Sequence, residues 1–255
     1  MDDTLTEIKK VEAMLLNIGT LLMSSGASTG RIRTTVNRIA DALGYSVELL
    51  ITNRTLMLKV SDDENSEFIA SLKRTSPHGV NFMVVSGISR MSWRVVEERW
   101  TVEQINEDVE RIVVIPHYPR IIILSTVALA GTAFCRIFGG VGIELLVAFV
   151  ATFFGLFIRQ ESVKKGFNPY VSIFFASLAA SLVSGFAVWQ GIGKIPEHAF
   201  STSVLFLVPG VPLINSFTDL IDGNILNGIT RGVNGLIIAF AIALGLLGAM
   251  IIFNI

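Results

Sequence analysis

The sequence predicts a membrane protein in which a cytoplasmic α+β domain precedes an α-helical bundle of five transmembrane spans. Charge is distributed unevenly, since 30 of the 41 Asp, Glu, Lys and Arg residues lie in residues 1–120 and 11 in residues 121–255. The mean hydropathy of the whole chain is nevertheless +0.63. Apolar runs close to the length of about 20 residues that crosses a bilayer fill the second half. We therefore assign residues 1–118 to the α+β domain and residues 119–255 to the membrane domain.

Hydrophobic periodicity predicts two helices near the N-terminus. Apolar residues recur at helical spacing over roughly residues 6–24, which predicts an amphipathic helix. Ser28 or Thr29 is a suitable cap for a second helix that runs to about Leu43. Residues 26–30 read Gly-Ala-Ser-Thr-Gly and match the nucleophile elbow of hydrolases. That motif needs a strand before the serine. Because a predicted helix precedes it here, a helix-turn-helix corner is favoured.

A β-hairpin is predicted after the second helix. Apolar and polar residues alternate near residues 47–52 and 56–60, and Asn53-Arg54 is the predicted turn. The polar stretch 62–77 is predicted to be a loop or a short helix. A third strand is predicted at residues 80–85, where the chain is again apolar.

The end of the first domain carries a helix start signal and two prolines. Thr101-Val102-Glu103-Gln104 fits a capping box, which predicts a helix running to about Val114. Pro116 and Pro119 then mark the junction with the membrane domain.

Composition excludes several classes of function. The net charge of −1 argues against nucleic-acid binding, which needs a basic face. Cys135 is the single cysteine, so an intrachain disulfide and a cysteine-based metal site are both excluded. We expect no metal and no cofactor. The acidic start, with Asp2, Asp3 and Glu7, does not fit a cleaved signal peptide.

Five membrane spans are predicted from the apolar runs. They lie at about residues 121–138, 143–158, 170–189, 201–220 and 232–253. With the N-terminus inside, the cytoplasmic side collects most of the cationic loop residues, which favours this orientation and an outside C-terminus. The alternative is a re-entrant fourth segment, which leaves four full spans and an inside C-terminus.

The predicted fourth span is broken. Pro209-Gly210-Val211-Pro212 lies in its middle, and two prolines within four residues cannot lie in an unbroken helix. A break at membrane depth must be covered by protein or line a wet cavity. Asn215, Asp219 and Asp222 follow at helical spacing on one face. A broken helix followed by carboxylates predicts a transport site.

The candidate site extends to the next span. Asn227, Arg231 and Asn234 repeat the same spacing after a turn predicted at residues 223–228, so Arg231 is predicted to pair with Asp219 or Asp222. The alternative for Asp222 and Arg231 is that they are interfacial loop charges.

Two further charges flank the reversal at Gly139-Gly140. Arg136 lies just before it and Glu144 just after it. They are predicted to pair with each other, as structural or gating charges.

A substrate chemistry follows from the break. The amides of Leu213, Ile214 and Asn215 are predicted to begin a new helix after Pro212 and to lack intrahelical partners. They would then bind a substrate carboxylate. Asp219 or Asp222 would bind an ammonium group or exchange a proton. A small zwitterion satisfies both requirements.

Two motifs resemble one known family. The first motif resembles the start of the threonine/serine exporter family and reads Ser24-Ser25-Gly26-Ala27-Ser28-Thr29-Gly30-Arg31, followed by Ala42-Leu43-Gly44. The second resembles the membrane motif of that family and reads Val208-Pro209-Gly210-Val211-Pro212, followed by Asn215, Asp219-Leu220, Gly223 and Arg231. The resemblance covers essentially the whole chain. In length, the chain is similar to the short YjjP-type form, which corresponds to the N-terminal half of the full-length exporter, ThrE.

The resemblance implies a subunit of a bacterial inner-membrane exporter. The expected substrates are threonine and serine, driven by the proton gradient, or alternatively a small dicarboxylate such as succinate. A second small membrane protein would supply the remaining spans, so we expect an oligomer. A membrane-anchored enzyme or regulatory module acting through residues 1–118 is another alternative, and a non-transporting accessory subunit is a third.

Overall fold

The computed structural model describes residues 2–61, 68–75, 79–115 and 118–255, and these residues are mostly helical. They form two compact units. The first unit combines Met1–Pro116 with Val211–Gly232, and the second combines His117–Gly210 with Val233–Ile255. The segment that follows the proline break therefore packs with N-terminal residues, although the sequence places it between membrane spans.

The N-terminal part of the first unit contains helices around a small sheet. In chain order its elements are α1 (Asp2–Ser24), α2 (Thr29–Ala42), β1 (Ser46–Ile51), β2 (Thr55–Ser61), β3 (Phe68–Arg74), α3 (Phe82–Glu98) and α4 (Val102–Val114). The strands are antiparallel in the order β1-β2-β3. The helices at residues 6–24 and 29–43 and the hairpin at Asn53-Arg54 are thus confirmed.

The core of this unit lies between α1 and the inner face of the sheet. Ile8, Leu15 and Leu22 of α1 are fully buried, as are Leu56 and Leu58 of β2. On a strand, side chains two residues apart lie on the same face; on a helix, side chains three or four residues apart do. The apolar face of α1 and the apolar face of β2 therefore pack against each other in the core.

The third strand predicted at residues 80–85 is wrong, because these residues enter α3. Asn81 caps that helix and accepts a hydrogen bond from Val84 N at 3.3 Å. Val84, Ile88 and Val95 are buried at helical spacing. An apolar run of only six residues is compatible with both a buried strand and a buried helix, so it does not decide between them.

The predicted loop or short helix at residues 62–77 is also wrong where β3 lies. Phe68 to Arg74 pair with β2 in an antiparallel register, from Ser61 opposite Phe68 to Thr55 opposite Arg74. One face of β3 is exposed, and the stretch that contains it is polar, so the composition of this stretch does not indicate a strand. Residues 62–67 and 76–77 lie outside the described residues, as does Pro116 at the predicted junction.

The predicted capping box is present at the start of α4. Thr101 Oγ1 accepts from Gln104 N at 3.5 Å, and Thr101 N donates to Gln104 Oε1 at 2.9 Å. We expect Thr101→Ala to lower the free energy of unfolding by about 1 kcal/mol, since one helix-end amide loses its acceptor. Urea unfolding in detergent measures this, with the exposed Glu110→Gln on the same helix as the control. Equal stability of the two variants would show that the cap is not stabilising.

The helices of the second half confirm a membrane protein. Among the described residues, four helices are long and apolar enough to cross a bilayer, namely α5 (Arg120–Ile137), α6 (Ile143–Lys164), α7 (Pro169–Trp189) and α10 (Ile225–Phe253). A fifth span exists if α8 (Glu197–Thr202), a 3-10 turn (Leu205–Leu207) and α9 (Gly210–Ile221) count as one broken span. These helices are consistent both with five spans and with four spans plus a re-entrant fourth segment.

Two helix boundaries differ from the predicted spans. Helix α6 continues to Lys164, so the charged residues from Arg159 onward, beyond the predicted end of the span at 158, are also helical. Helix α10 begins at Ile225, seven residues before the predicted start at 232, so Arg231 lies on a helix. In both cases a polar helical turn extends an apolar span, and hydropathy alone does not detect such a turn.

Small residues form the helix contacts of the second unit. Ser177 Oγ on α7 donates to Ile242 O on α10 at 2.7 Å. A Cβ added at Gly155 on α6 would lie 2.9 Å from the Cβ of Ala180 on α7, so these backbones approach closely. Close approach through small and hydroxyl side chains is how helices associate in lipid. The small faces of α6 and α7 are therefore buried packing surfaces.

Candidate functional site

The candidate site begins at the corner between α1 and α2. Helix α1 ends at Ser24, and Gly26 has a φ of +85°, which reverses the chain. Ser28 is the N-cap of α2 and accepts from Arg31 N at 3.4 Å. The predicted helix-turn-helix corner is confirmed. No strand precedes Ser28 in this described stretch, so the nucleophile elbow is not formed.

The helix after the break begins earlier than predicted. Helix α9 starts at Gly210, which puts Pro212 in its first turn, where a missing N–H removes no intrahelical bond. The prediction of free amides is therefore wrong for Ile214 and Asn215, which follow the first four residues of the helix, whereas Leu213 is the fourth. Gly210 N donates to Val208 O at 2.8 Å. This helix start offers fewer free donors than predicted for binding an anion.

Helices α9 and α10 form a tight hairpin. Ser216 Oγ on α9 donates to Gly228 O on α10 at 2.6 Å. A Cβ added at Gly228 would lie 2.6 Å from Leu220 Cγ and 3.0 Å from Leu220 N. Only glycine permits this approach without a shift. The close contact fixes the polar residues of the two helices relative to one another.

Asp219 is the centre of the site. Its side chain is fully buried. Oδ1 accepts from Thr29 N at 3.0 Å, and Oδ2 accepts from Thr29 Oγ1 at 3.1 Å. Because Thr29 is the first residue of α2, the carboxylate lies at the positive end of that helix. The N-terminal motif and the membrane motif therefore meet in one hydrogen-bonded cluster.

Arg231 supplies the opposite charge. Its Nε lies 3.3 Å from Asp219 Oδ2, and its Nη2 donates to Ala27 O at 3.0 Å. The predicted pairing of Arg231 with Asp219 is confirmed. The Nη1 atom is buried and has no hydrogen-bond partner among the residues that the structure describes. This guanidinium retains unused hydrogen-bond donors.

Two asparagines complete the cluster. Asn215 Nδ2 donates to Gly26 O at 2.8 Å. Asn227 Nδ2 donates to Thr29 Oγ1 at 3.2 Å and to Ile51 O at 2.8 Å. Helices α9 and α10 are thus attached by side chains both to the α1–α2 corner and to the end of β1.

The remaining predicted site residues make no hydrogen bond within this cluster. Asp222 is exposed in the turn after α9, and a Cβ added at Gly30 on α2 would lie 3.0 Å from its Oδ2, so it lies beside the cluster. Pro209 is buried directly before α9, while Gly210 and Pro212 occupy its first turn. Asn234 accepts a hydrogen bond from the Tyr170 hydroxyl at 3.0 Å in the second unit. The structure brings together Asn215, Asp219 and Arg231, with Asp222 at the edge of the cluster.

The predicted pairing of Arg136 with Glu144 is wrong. Glu144 is fully buried, and its carboxylate accepts from Val141 N at 2.8 Å and from Lys194 N and Ile195 N at 2.7 Å each. Arg136 Nη1 donates to Gly140 O at 3.3 Å instead. Backbone amides that lie close by therefore satisfy the carboxylate, and sequence spacing does not reveal such donors.

Thr29 is the site residue that the sequence pattern does not indicate, because the Gly-Ala-Ser-Thr-Gly motif predicts only a helix cap. Asn227 is predicted on the segment that faces the carboxylates, and it is buried on α10. The signal for Thr29 is that its motif carries part of the family resemblance. In the described residues, no group of three or more His, Cys, Asp and Glu is arranged to hold a metal ion.

Comparison with known proteins decides the family. The family model described as "Putative threonine/serine exporter" (ThrE) matches residues 13–253, which is nearly the whole chain. The chain belongs to the threonine/serine exporter family. The predicted resemblance is confirmed. Because this family consists of exporters, the prediction that the chain is not an enzyme is also confirmed.

The relatives of this chain have two lengths: some are about as long as this chain, and others are about twice as long. The "Probable succinate transporter subunit YjjP" of Klebsiella aerogenes is 26% identical over 96% of this chain and 95% of its own length. The protein of that name in Escherichia coli is 25% identical over 96% of each chain. The "Threonine/serine exporter" of Corynebacterium glutamicum is 25% identical over 86% of this chain but only 46% of its own length. No solved structure matches this chain.

Proposed function

We propose that this chain is a transport subunit of a bacterial inner-membrane exporter for small amino or carboxylic acids. The N-terminal domain would lie in the cytoplasm. The observation that carries the proposal is the buried pair of Asp219 and Arg231, which follows a proline-broken helix in a member of an exporter family. Ionisable residues in membrane segments are costly to bury and commonly mark transport pathways.

The pair suggests how a carboxylate substrate is bound. Arg231 uses Nε and Nη2 within the protein, while Nη1 remains without a partner among the described residues. A guanidinium binds a carboxylate in a bidentate manner, so Arg231 is the proposed substrate ligand. A substrate carboxylate arriving there would compete with Asp219 for the same cation.

Charge balance suggests how a proton is coupled. With Asp219 ionised, one carboxylate neutralises Arg231, and a second anion would leave an uncompensated negative charge in a buried site. If Asp219 takes up a proton, the substrate carboxylate replaces it as the partner of Arg231. One proton then leaves with each substrate carboxylate, so the proposed coupling is a symport driven by the outward gradient of the substrate. It differs from the export driven by the proton gradient that the family resemblance implies.

The lengths of the relatives favour a dicarboxylate over threonine or serine. Relatives that match this chain over their whole length are named succinate transporter subunits. Relatives named threonine/serine exporters are about twice as long, since the chain covers 45% and 46% of them. We therefore propose succinate as the first substrate to test, with threonine and serine as the alternatives. A second small membrane protein would supply the remaining spans.

An efflux assay tests this proposal. Cells loaded with succinate, threonine or serine would express the chain alone or together with its presumed partner subunit. We expect faster efflux of at least one of the three, and we expect Asp219→Asn and Arg231→Gln each to abolish it. Glu110→Gln is the control, because Glu110 is an exposed carboxylate on α4 in the same unit. Unchanged efflux of all three substrates would contradict the proposed function.

A further inference from the structure

A cavity of about 440 Å³ that is broadly open to solvent lies in the first unit beside the β1–β2 turn. Its volume falls within the range of roughly 300–1,000 Å³ that is typical of small-molecule sites. It is separate from the Asp219 cluster, since the two sets of residues do not overlap. The lining residues are Thr52, Asn53, Arg54, Thr55, Leu72, Arg74, Leu226 and Thr230.

The lining is cationic. Arg54 and Arg74 contribute two positive charges, and none of the eight lining residues is acidic. Neither guanidinium has a carboxylate within 4 Å in the part of the chain that the structure describes. Arginine without a counter-ion at a concave surface is suited to binding an anion.

The sheet register places Arg74 at the cavity end of the sheet, where it pairs with Thr55. Arg54 and Arg74 are both exposed. The two arginines are therefore available to an external ligand.

The walls of the cavity are held in place by the backbone. Arg54 O accepts from Thr75 N at 2.8 Å, which fixes the turn against β3. Asn227 Nδ2 donates to Ile51 O at 2.8 Å, which fixes the hairpin against α10. A preformed site loses less conformational entropy when a ligand binds.

We propose that this cavity binds a small dianion, with Arg54 and Arg74 each holding one negatively charged group. Leu72 and Leu226 would contact the hydrocarbon part between the two groups. The proposal does not depend on the function proposed above. Two sources have this chemistry. One is a soluble dicarboxylate, and the other is the headgroup of cardiolipin, which carries two phosphates, since Leu226 and Thr230 lie on the membrane helix α10.

A binding measurement tests the proposal. The full chain in phosphatidylcholine nanodiscs would be titrated with succinate by calorimetry, with butyrate as a monoanion of the same carbon count. We expect saturable succinate binding that is much tighter than butyrate binding. Arg54→Gln and Arg74→Gln should each weaken it about tenfold or more, because each removes a charge-assisted contact. Arg90→Gln, an exposed arginine on α3, is the control and should have no effect.

A second arm distinguishes the source of the anion. Melting temperatures would be compared in nanodiscs that contain cardiolipin and in nanodiscs of phosphatidylcholine alone. If cardiolipin stabilises the native chain but not the Arg54→Gln/Arg74→Gln variant, while succinate does not bind, the lipid headgroup supplies the anion. If neither succinate nor cardiolipin has an effect that depends on these two arginines, the proposed site is wrong. Efflux that persists in that case would leave the proposed function intact.

Discussion

Replacing Asp219 by alanine is expected to lower the free energy of unfolding of the first unit by about 3 kcal/mol. Removal of one partner from a buried ion pair typically costs about 3–5 kcal/mol, because the remaining charge has no counter-ion. We expect the lower end, since 19% of the Arg231 side chain reaches solvent. Thr29 N also loses its acceptor. The change would therefore affect both the α1–α2 corner and the α9–α10 hairpin.

The experiment is urea unfolding in detergent, followed by tryptophan fluorescence. Trp93 and Trp100 lie in the first unit and Trp189 in the second, so a Trp189→Phe background restricts the signal to the first unit. The exposed Glu110→Gln on α4 is the control and should change stability by less than about 0.5 kcal/mol, as exposed substitutions usually do. A loss for Asp219→Ala no larger than that of the control would show that the buried pair does not hold the unit together.

A double-mutant cycle separates the ion pair from the rest of the cluster. Asp219→Asn keeps the side-chain volume and an acceptor for Thr29 N, but it removes the charge. Arg231→Gln removes the matching charge. If the two charges interact directly, the double variant should be more stable than the sum of the single losses predicts, by about 1 kcal/mol or more. Simple additivity would indicate that Asp219 acts through its contacts with Thr29 alone.

The sequence predicts most elements of this fold because their patterns are local. The helix caps at Ser28 and Thr101 and the apolar stripe of α1 each depend on residues within a few turns. The pairing of Arg231 with Asp219 is also predictable, since helical spacing places both residues on facing sides of one hairpin. Local signals fail at α3, where a short apolar run permits both a strand and a helix.

The larger part of the site depends on contacts between distant residues. Thr29 and Asp219 are 190 residues apart, and Asn227 is 176 residues from Ile51. Neither periodicity nor composition indicates that a helix N-terminus in the first domain binds a carboxylate from the broken span. Backbone carbonyls and amides supply several of the contacts, and every residue carries them, so no residue type identifies these partners.

The second large effect is expected at Glu144. Its carboxylate accepts backbone hydrogen bonds from Val141 on one side and from Lys194 and Ile195 on the other. It therefore attaches the connection after α7 to the start of α6. Glu144→Ala removes three hydrogen bonds to a charged acceptor, and each such bond contributes about 1.5–3 kcal/mol. We expect a total loss of about 3 kcal/mol or more, together with release of the connection around residues 191–196.

Cys135 reports this release directly, because it is the single cysteine of the chain and is buried with its Sγ 3.8 Å from Glu144 O. A maleimide reagent should label the native chain slowly and Glu144→Ala at least about tenfold faster, as expected when a buried thiol becomes exposed by local opening. Glu144→Gln should be intermediate, because its carbonyl oxygen still accepts two bonds while its amide cannot accept from Val141 N. The exposed Glu197→Gln is the control.

Gly193 provides an independent test of the same attachment. It has a φ of +112°, and a Cβ added there would lie 2.8 Å from Glu144 Cγ. Gly193→Ala should therefore displace the connection without removing the carboxylate, and it should also accelerate the labelling of Cys135. If both Glu144→Ala and Gly193→Ala leave the labelling rate unchanged, the buried carboxylate does not hold this part of the chain closed. If only Gly193→Ala accelerates labelling, backbone strain at the glycine rather than the three hydrogen bonds controls access to the thiol.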